Sequence, residues 1–245
     1  MTVKRLTNLI GAANRVDPSC WSAWEARIGK LPHDIGARYN NSLLSPRDWM
    51  SHFKNVLHRA MRVKGNDPDE DNRACRCCKH AYENLQHFAS CEVAGLLFDE
   101  LASLISGVVL RTTTEKERFA LFAITPNATQ PKAGWINLHL LLWKHMIYHL
   151  TIAETEDKPF RPHEIWQAAL ARFQHKANAK VEIVRTDILR AESRGNEPPD
   201  LSNRGACMAP LADITSEGKL AWNDELIERI TKLTKPPKTN KKRKK

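Results

Sequence analysis

No part of this 245-residue sequence alternates apolar and polar side chains over several successive segments, and no unit repeats at a fixed period. Those two absences leave an irregular, mainly helical all-α fold as the expectation. The first residues, Met1 to Ala13, mix Lys4, Arg5 and Asn8 into a short apolar pattern and form no h-region. No secretory leader is therefore expected, and the compartment is read as reducing and intracellular, nuclear or cytoplasmic. Long uninterrupted apolar runs are also missing. The best candidate, Trp135 to Ile152, carries Asn137, His139, Lys144, His145 and His149. It reads as a buried core helix, with no membrane partner. Acidic residues are absent from 235–245, where Lys235, Lys238, Lys241, Lys242, Arg243, Lys244 and Lys245 supply seven of the ten net positive charges.

The charge is thus concentrated at one end, and removing that tail leaves about +3 on the rest of the chain. A dense cationic patch of this kind displaces counterions from nucleic acid, so Lys241, Lys242, Arg243, Lys244 and Lys245 are candidate phosphate contacts, and the same run fits nuclear import. A solvated, disordered end is the plainer alternative. The hydrophobic fraction of 42% is enough for a real core.

Helical spacing organises most of the chain. Ser45 is a good N-cap with Pro46 at the first helical position, and Trp49, Phe53, Val56, Leu57, Ala60 and Met61 follow as a stripe. Leu96, Leu97, Leu101, Leu104 and Ile105 make a second stripe, ended near Gly107. Thr114 with Glu117 has the form of a capping box ahead of Phe119, Leu121 and Phe122. A long pattern runs from Pro162 to Arg194 and stops at Gly195. These signals give an N-terminal helical segment at 1–44, a helical domain at 45–194, a turn-rich linker at 195–221, a helix at 222–234 and a basic tail at 235–245.

Four of the six cysteines, Cys75, Cys77, Cys78 and Cys91, fall within seventeen residues. The spacing Cys75-x2-Cys78-x8-His87-x3-Cys91 offers three thiolates and an imidazole, the usual closed set for structural zinc. The first pair fits a tight knuckle, and His87 and Cys91 fit one face of a helical turn, so a single Zn2+ would clamp two local pieces of chain. Cys77 is left as a spare thiol, because pairing with either neighbour is strained, and His80 could replace His87 only by losing the i, i+4 spacing. Cys20 and Cys207 stand apart and read as small packed hydrophobes.

The stretch from Cys75 through Arg76, Cys78, Glu83, Leu85 and His87 to Cys91 resembles the zinc-binding region that follows the reverse transcriptase of LINE-type, non-LTR retrotransposons. The likeness extends more weakly over residues 46 to 155. It implies Cys75, Cys78, His87 and Cys91 as ligands, a role beside reverse transcription, and RNA or target DNA and a reverse transcriptase as partners. None of Tyr39, Tyr82 or Tyr148 begins the Tyr-x-Asp-Asp arrangement of a polymerase, so the chain itself carries no polymerase.

Enzymatic readings compete less well. Asp200 followed by Glu217 and Lys219 has the form of a restriction-like nuclease site, in which the acids would hold Mg2+. The intervening residues, however, lack the β-branched content of core strands. His145 and His149 are four apart, yet Met146 stands where a zincin needs Glu, so buried or rim histidines are expected. Phe160, Trp166 and Phe173 could stack on bases, but at helical spacing core packing is the expectation. A noncatalytic, zinc-stabilised nucleic-acid-binding module is the leading expectation; a nuclease remnant and a purely structural or protein-interaction domain are the alternatives.

Overall fold

The computed structural model describes residues 21–32, 43–57, 61, 63–64, 69, 73–79, 82–105, 108–126, 131–155, 158–197 and 204–236. Cys20, His80, Asp200 and the basic residues Lys238, Lys241, Lys242, Arg243, Lys244 and Lys245 lie outside the described residues. The described residues form α1 (Trp21–Ile28), α2 (Pro46–His52), α3 (His87–Ser90), α4 (Gly95–Leu104), α5 (Thr113–Phe122), α6 (Ala133–Thr155), α7 (Pro162–Ser193) and α8 (Asp224–Leu233). Two short strands, β1 (Ala212–Ile214) and β2 (Leu220–Trp222), pair antiparallel with Ala212 opposite Trp222. The fold is mainly helical, as expected.

α6 is the spine. Leu138, Leu141, Leu142, Trp143, Met146 and Leu150 are all buried, and the helix packs against both α7 and α2. No described helix is long and apolar enough to cross a membrane. Two side chains of α6, His139 and Trp143, are spent on the end of α5. The last carbonyls of a helix have no partner within it. Here His139 Nε2 donates to the carbonyls of Phe119 and Ala120 (3.1 and 2.8 Å), Trp143 Nε1 to Ala120 (2.5 Å), and His52 Nε2 to Leu121 (2.7 Å). Ala123, at φ 53°, closes the same end by bonding back to Phe119. Burial first, and then the neighbouring His139, push the pKa of His52 well below the usual histidine value, so its ring is neutral. His139 is a buried core histidine whose Nε2 closes the end of α5.

α2 starts as its sequence indicates, with Asp48 Oδ2 accepting from the Ser45 backbone N–H (3.2 Å) and hydroxyl (2.5 Å). It widens after His52 into a π-helical turn, Phe53–Leu57; of the rest of the expected stripe, Ala60 lies outside the described residues and Met61 is not helical. α5 is capped two residues earlier than expected: Thr112 Oγ1 accepts from Glu115 N–H, and the Glu115 carboxylate accepts from Thr112 N–H. Glu117 turns inward instead and receives both Nε and Nη2 of Arg27, fastening α1 to α5. The local motif was ambiguous because Thr112, Thr113 and Thr114 are consecutive, and the long-range ion pair selects the register.

Residues 204–221, the larger described part of the stretch expected to be a linker, pack onto the core. Met208 and Leu211 are fully buried, and Cys207, Ala212 and Ile214 nearly so. The Cys207 carbonyl accepts from Asn137 Nδ2 (2.8 Å), and the Ala209 carbonyl accepts from the Gly134 N–H (2.7 Å). A Cβ on Gly134 would lie 2.2 Å from the Met208 carbonyl oxygen, so only glycine admits this approach. Trp222 belongs to β2, and α8 begins after it with Asn223 as N-cap. One continuous core therefore runs from Trp24 to Ile230.

Candidate metal centre

Two short pieces of backbone carry the cysteine cluster. An isolated antiparallel bridge joins Ala74 to Tyr82, and the turn between them holds Cys75 and Cys78. The chain reverses through Lys79, whose φ of 65° lies in the left-handed region, and Lys79 N–H donates to the Cys75 carbonyl at 2.9 Å. The second piece is α3 and its exit. Asn84 Oδ1 accepts from His87 N–H at 2.7 Å and starts the turn, and Cys91 ends it in extended backbone. Gly95 then lets the chain pass close beside α3, since a Cβ there would meet the Ala89 carbonyl oxygen at 2.9 Å.

The ligand atoms of Cys75, Cys78, His87 and Cys91 all lie within 4.8 Å of one another. Cys78 Sγ is 3.3 Å from His87 Nε2, and Cys75 Sγ is 4.0 Å from Cys91 Sγ. A tetrahedral zinc with bonds of 2.0 to 2.3 Å would set these edges at about 3.6 and about 3.8 Å. The longest separation therefore needs to shrink by no more than about 1 Å to close on one ion. The geometry brings together all four residues singled out by spacing. Cys75 and Cys91 are buried, as is Cys78, and they belong to the same core cluster as Leu85 and Phe88.

Backbone amides point at the sulfurs. Cys77 N–H donates to Cys75 Sγ (3.4 Å), and Ala94 N–H donates to Cys91 Sγ (3.5 Å). Both are turns in which the amide two or three residues onward meets a sulfur, an arrangement that stabilises thiolate. Hydrogen bonds from Cys75 and then Cys77, against the cost of burial, hold the Cys91 thiol far below its ordinary value. For Cys75 the bond with Cys77 lowers the pKa, but Cys91 and burial outweigh it and push the thiol up to about 12. Three sulfurs this close do not all ionise without a cation between them. The Cys77 thiol, raised first by Cys75 and then by Cys91, borders the cluster without completing its tetrahedron.

Spacing alone did not reveal the support beneath the knuckle. Arg76 and Glu83 are buried together, with Arg76 Nη2 2.6 Å from Glu83 Oε1. The Glu83 carboxylate also accepts from Arg76 Nε (2.9 Å), Arg76 backbone N–H (2.9 Å) and Lys64 backbone N–H (3.0 Å). A carboxylate so fully used fixes the turn from which Cys75 and Cys78 project. Cys-Arg-x-Cys followed by an acid thus has a structural reason: the arginine between the ligands needs a buried anion.

The other candidates are placed differently. Glu217 and Lys219 sit in the hairpin turn between β1 and β2 and, among the described residues, pair with each other (2.7 Å), at 69% and 75% side-chain exposure. Trp166 and Phe173 are fully buried in α7, with Trp166 Nε1 donating to Glu100 at 2.7 Å, so neither offers a stacking face. Cys207 is buried as a packed thiol. Fold and site together define a mainly helical protein with a Cys3His cluster able to coordinate a metal ion. Compared with protein-family models, with curated proteins and with solved structures, the chain matches none.

Proposed function

We propose that this chain is a noncatalytic, zinc-stabilised module that contacts nucleic acid, akin to the zinc-binding region downstream of the polymerase in LINE-type elements. One observation carries the zinc half: Cys75, Cys78, His87 and Cys91 converge within 4.8 Å. Three soft thiolates and an imidazole in a compact site select zinc over oxygen-seeking cations, and a set filled by four protein ligands leaves no position for substrate water. The metal is therefore a folding device. Zinc binding at such sites releases about 10 to 16 kcal/mol, comparable with the stability of a whole domain. The buried Arg76–Glu83 pair supports the family reading by giving the shared Arg and acid a role in holding the knuckle. The nucleic-acid half rests on the positive charge of the chain, +10 overall.

A chelator titration followed by circular dichroism and by anisotropy of a labelled single-stranded oligonucleotide tests both halves. The expected result is loss of helical signal and of oligonucleotide binding together as one zinc per chain is withdrawn. Binding that persists in fully zinc-free, unfolded chain defeats the module reading, and Mg2+-dependent cleavage of DNA lost in Asp200→Ala replaces it with a nuclease.

A further inference from the structure

Asp48 is the most heavily paired acid of the described residues, and the surplus of charge around it is unexplained by the zinc cluster. Its side chain is fully buried at the start of α2. Lys144 Nζ of α6 lies 2.7 Å from Oδ1, Arg172 Nη2 of α7 lies 2.9 Å from Oδ1, and Lys176 Nζ of α7 lies 3.2 Å from Oδ2. One carboxylate thus gathers three cations, none of which has a second acidic partner among the described residues. A net charge of about +2 remains in a half-buried place, where charge is poorly screened.

The donors are not used up. A lysine carries three N–H donors and an arginine five, and Asp48 occupies only one or two on each. The three side chains remain 19% to 33% exposed, so solvent or a ligand reaches them. Asp48 fixes their heads at one point and so removes much of the entropy cost of ordering them on a ligand. Lys180 lies one further turn along α7, on the ridge of Arg172 and Lys176, about 12 Å from Arg172 along the axis. The adjacent His145 ring reports the local field. Burial first, then Lys144, His149 and Arg172, lower its pKa to about 4 against the opposing pull of Asp48.

We propose that Lys144, Arg172, Lys176 and Lys180, organised by Asp48 between α2, α6 and α7, form a phosphate-binding face that takes successive phosphates of a nucleic-acid strand. A rigid cationic cluster with spare N–H donors matches the two non-bridging oxygens of a phosphodiester, and the ridge along α7 supplies the direction in which a strand would run. This extends the nucleic-acid half of the proposed function into the folded body and is independent of the basic tail and of the zinc assignment.

The test uses the zinc-loaded full chain and a labelled single-stranded oligonucleotide across a range of salt. Lys176→Gln with Lys180→Gln removes two charges from the face; Lys116→Gln with Arg161→Gln removes two from side chains paired elsewhere, with Asp99 and Glu164. The face variant is expected to weaken binding about tenfold and to lower the log–log salt slope by about 1.4, at roughly 0.7 per single-strand contact. The other pair is expected to change the slope by less than half of that. Equal losses from both pairs, with both variants folded, overturn the proposal while leaving a diffuse nucleic-acid interaction intact. If the face variant unfolds, Lys180→Gln alone is expected to give half the slope change, and no change overturns the proposal. Saturation by inorganic phosphate without any oligonucleotide binding at low salt overturns the strand as ligand, and the nucleic-acid half of the proposed function with it.

Discussion

Replacing Glu83 by Ala separates the support of the metal site from its ligands. The side chain is completely buried and accepts from four donor atoms: Nε and Nη2 of the Arg76 guanidinium, the Arg76 amide and the Lys64 amide. Truncation leaves the Arg76 charge buried and unpaired, which costs about 3 to 5 kcal/mol. Two backbone amides also lose their acceptor, at about 1 to 3 kcal/mol each where water does not reach them. Because those amides shape the turn bearing Cys75 and Cys78, zinc affinity is expected to fall roughly 10- to 100-fold, the usual effect of removing a group that orients ligands. Urea unfolding of the zinc-loaded protein reads the first quantity and competition with a chromophoric chelator the second. Arg76→Met combined with Glu83→Leu restores the part of the loss due to the unpaired charge but not the amide part, leaving the double variant about 2 to 6 kcal/mol below wild type. Unchanged zinc affinity in Glu83→Ala, or full recovery in the double variant, refutes this account of the knuckle.

Three further outcomes follow from particular residues. Thr112→Ala removes the N-cap of α5 and is expected to cost about 1 kcal/mol, whereas Thr114→Ala, at the second helical position, changes stability by less than about 0.5 kcal/mol in the same denaturant series. Lys79→Gly relieves a left-handed backbone that costs a side chain about 1 to 2 kcal/mol; after the entropy penalty of glycine, a net gain of up to about 1 kcal/mol is expected in zinc-loaded protein. The pKa of His145 falls to about 4 on folding, so below its unfolded value near 6.5 the unfolded chain binds the extra proton and stability declines as pH drops from about 6.5 to 4. His145→Gln is expected to flatten that part of the pH–stability curve relative to wild type, and an identical slope in the two proteins counts against the assigned burial.

The helices were legible where a local signal and the core agreed. Ser45-Pro46 marked the start of α2, Pro162 and Gly195 bracketed α7, and the stripe in α6 matched its burial. The ligand set was legible for a simpler reason: metal chemistry demands particular residue types within a short span, and Cys75, Cys78, His87 and Cys91 meet it locally. What failed to show was decided at long range. Glu117 pairs with Arg27, ninety residues away, and that contact rather than the threonine run sets the register of α5. The segment around Met208 has the composition of a loop, yet its backbone docks on Gly134 and Asn137, and no local pattern announces a glycine kept bare for a distant carbonyl. The Asp48 cluster draws on α2, α6 and α7 and was equally invisible, since no local spacing joins Asp48 to Lys144, Arg172 and Lys176 on two distant helices.

X-ray absorption at the zinc edge, with elemental analysis of the purified chain, tests the central claim most directly. The account requires one zinc per chain with three sulfurs near 2.3 Å and one nitrogen near 2.0 to 2.1 Å, retained in Cys77→Ser and lost in Cys91→Ser. A protein that folds fully without zinc, or a zinc shell dominated by oxygen, contradicts it.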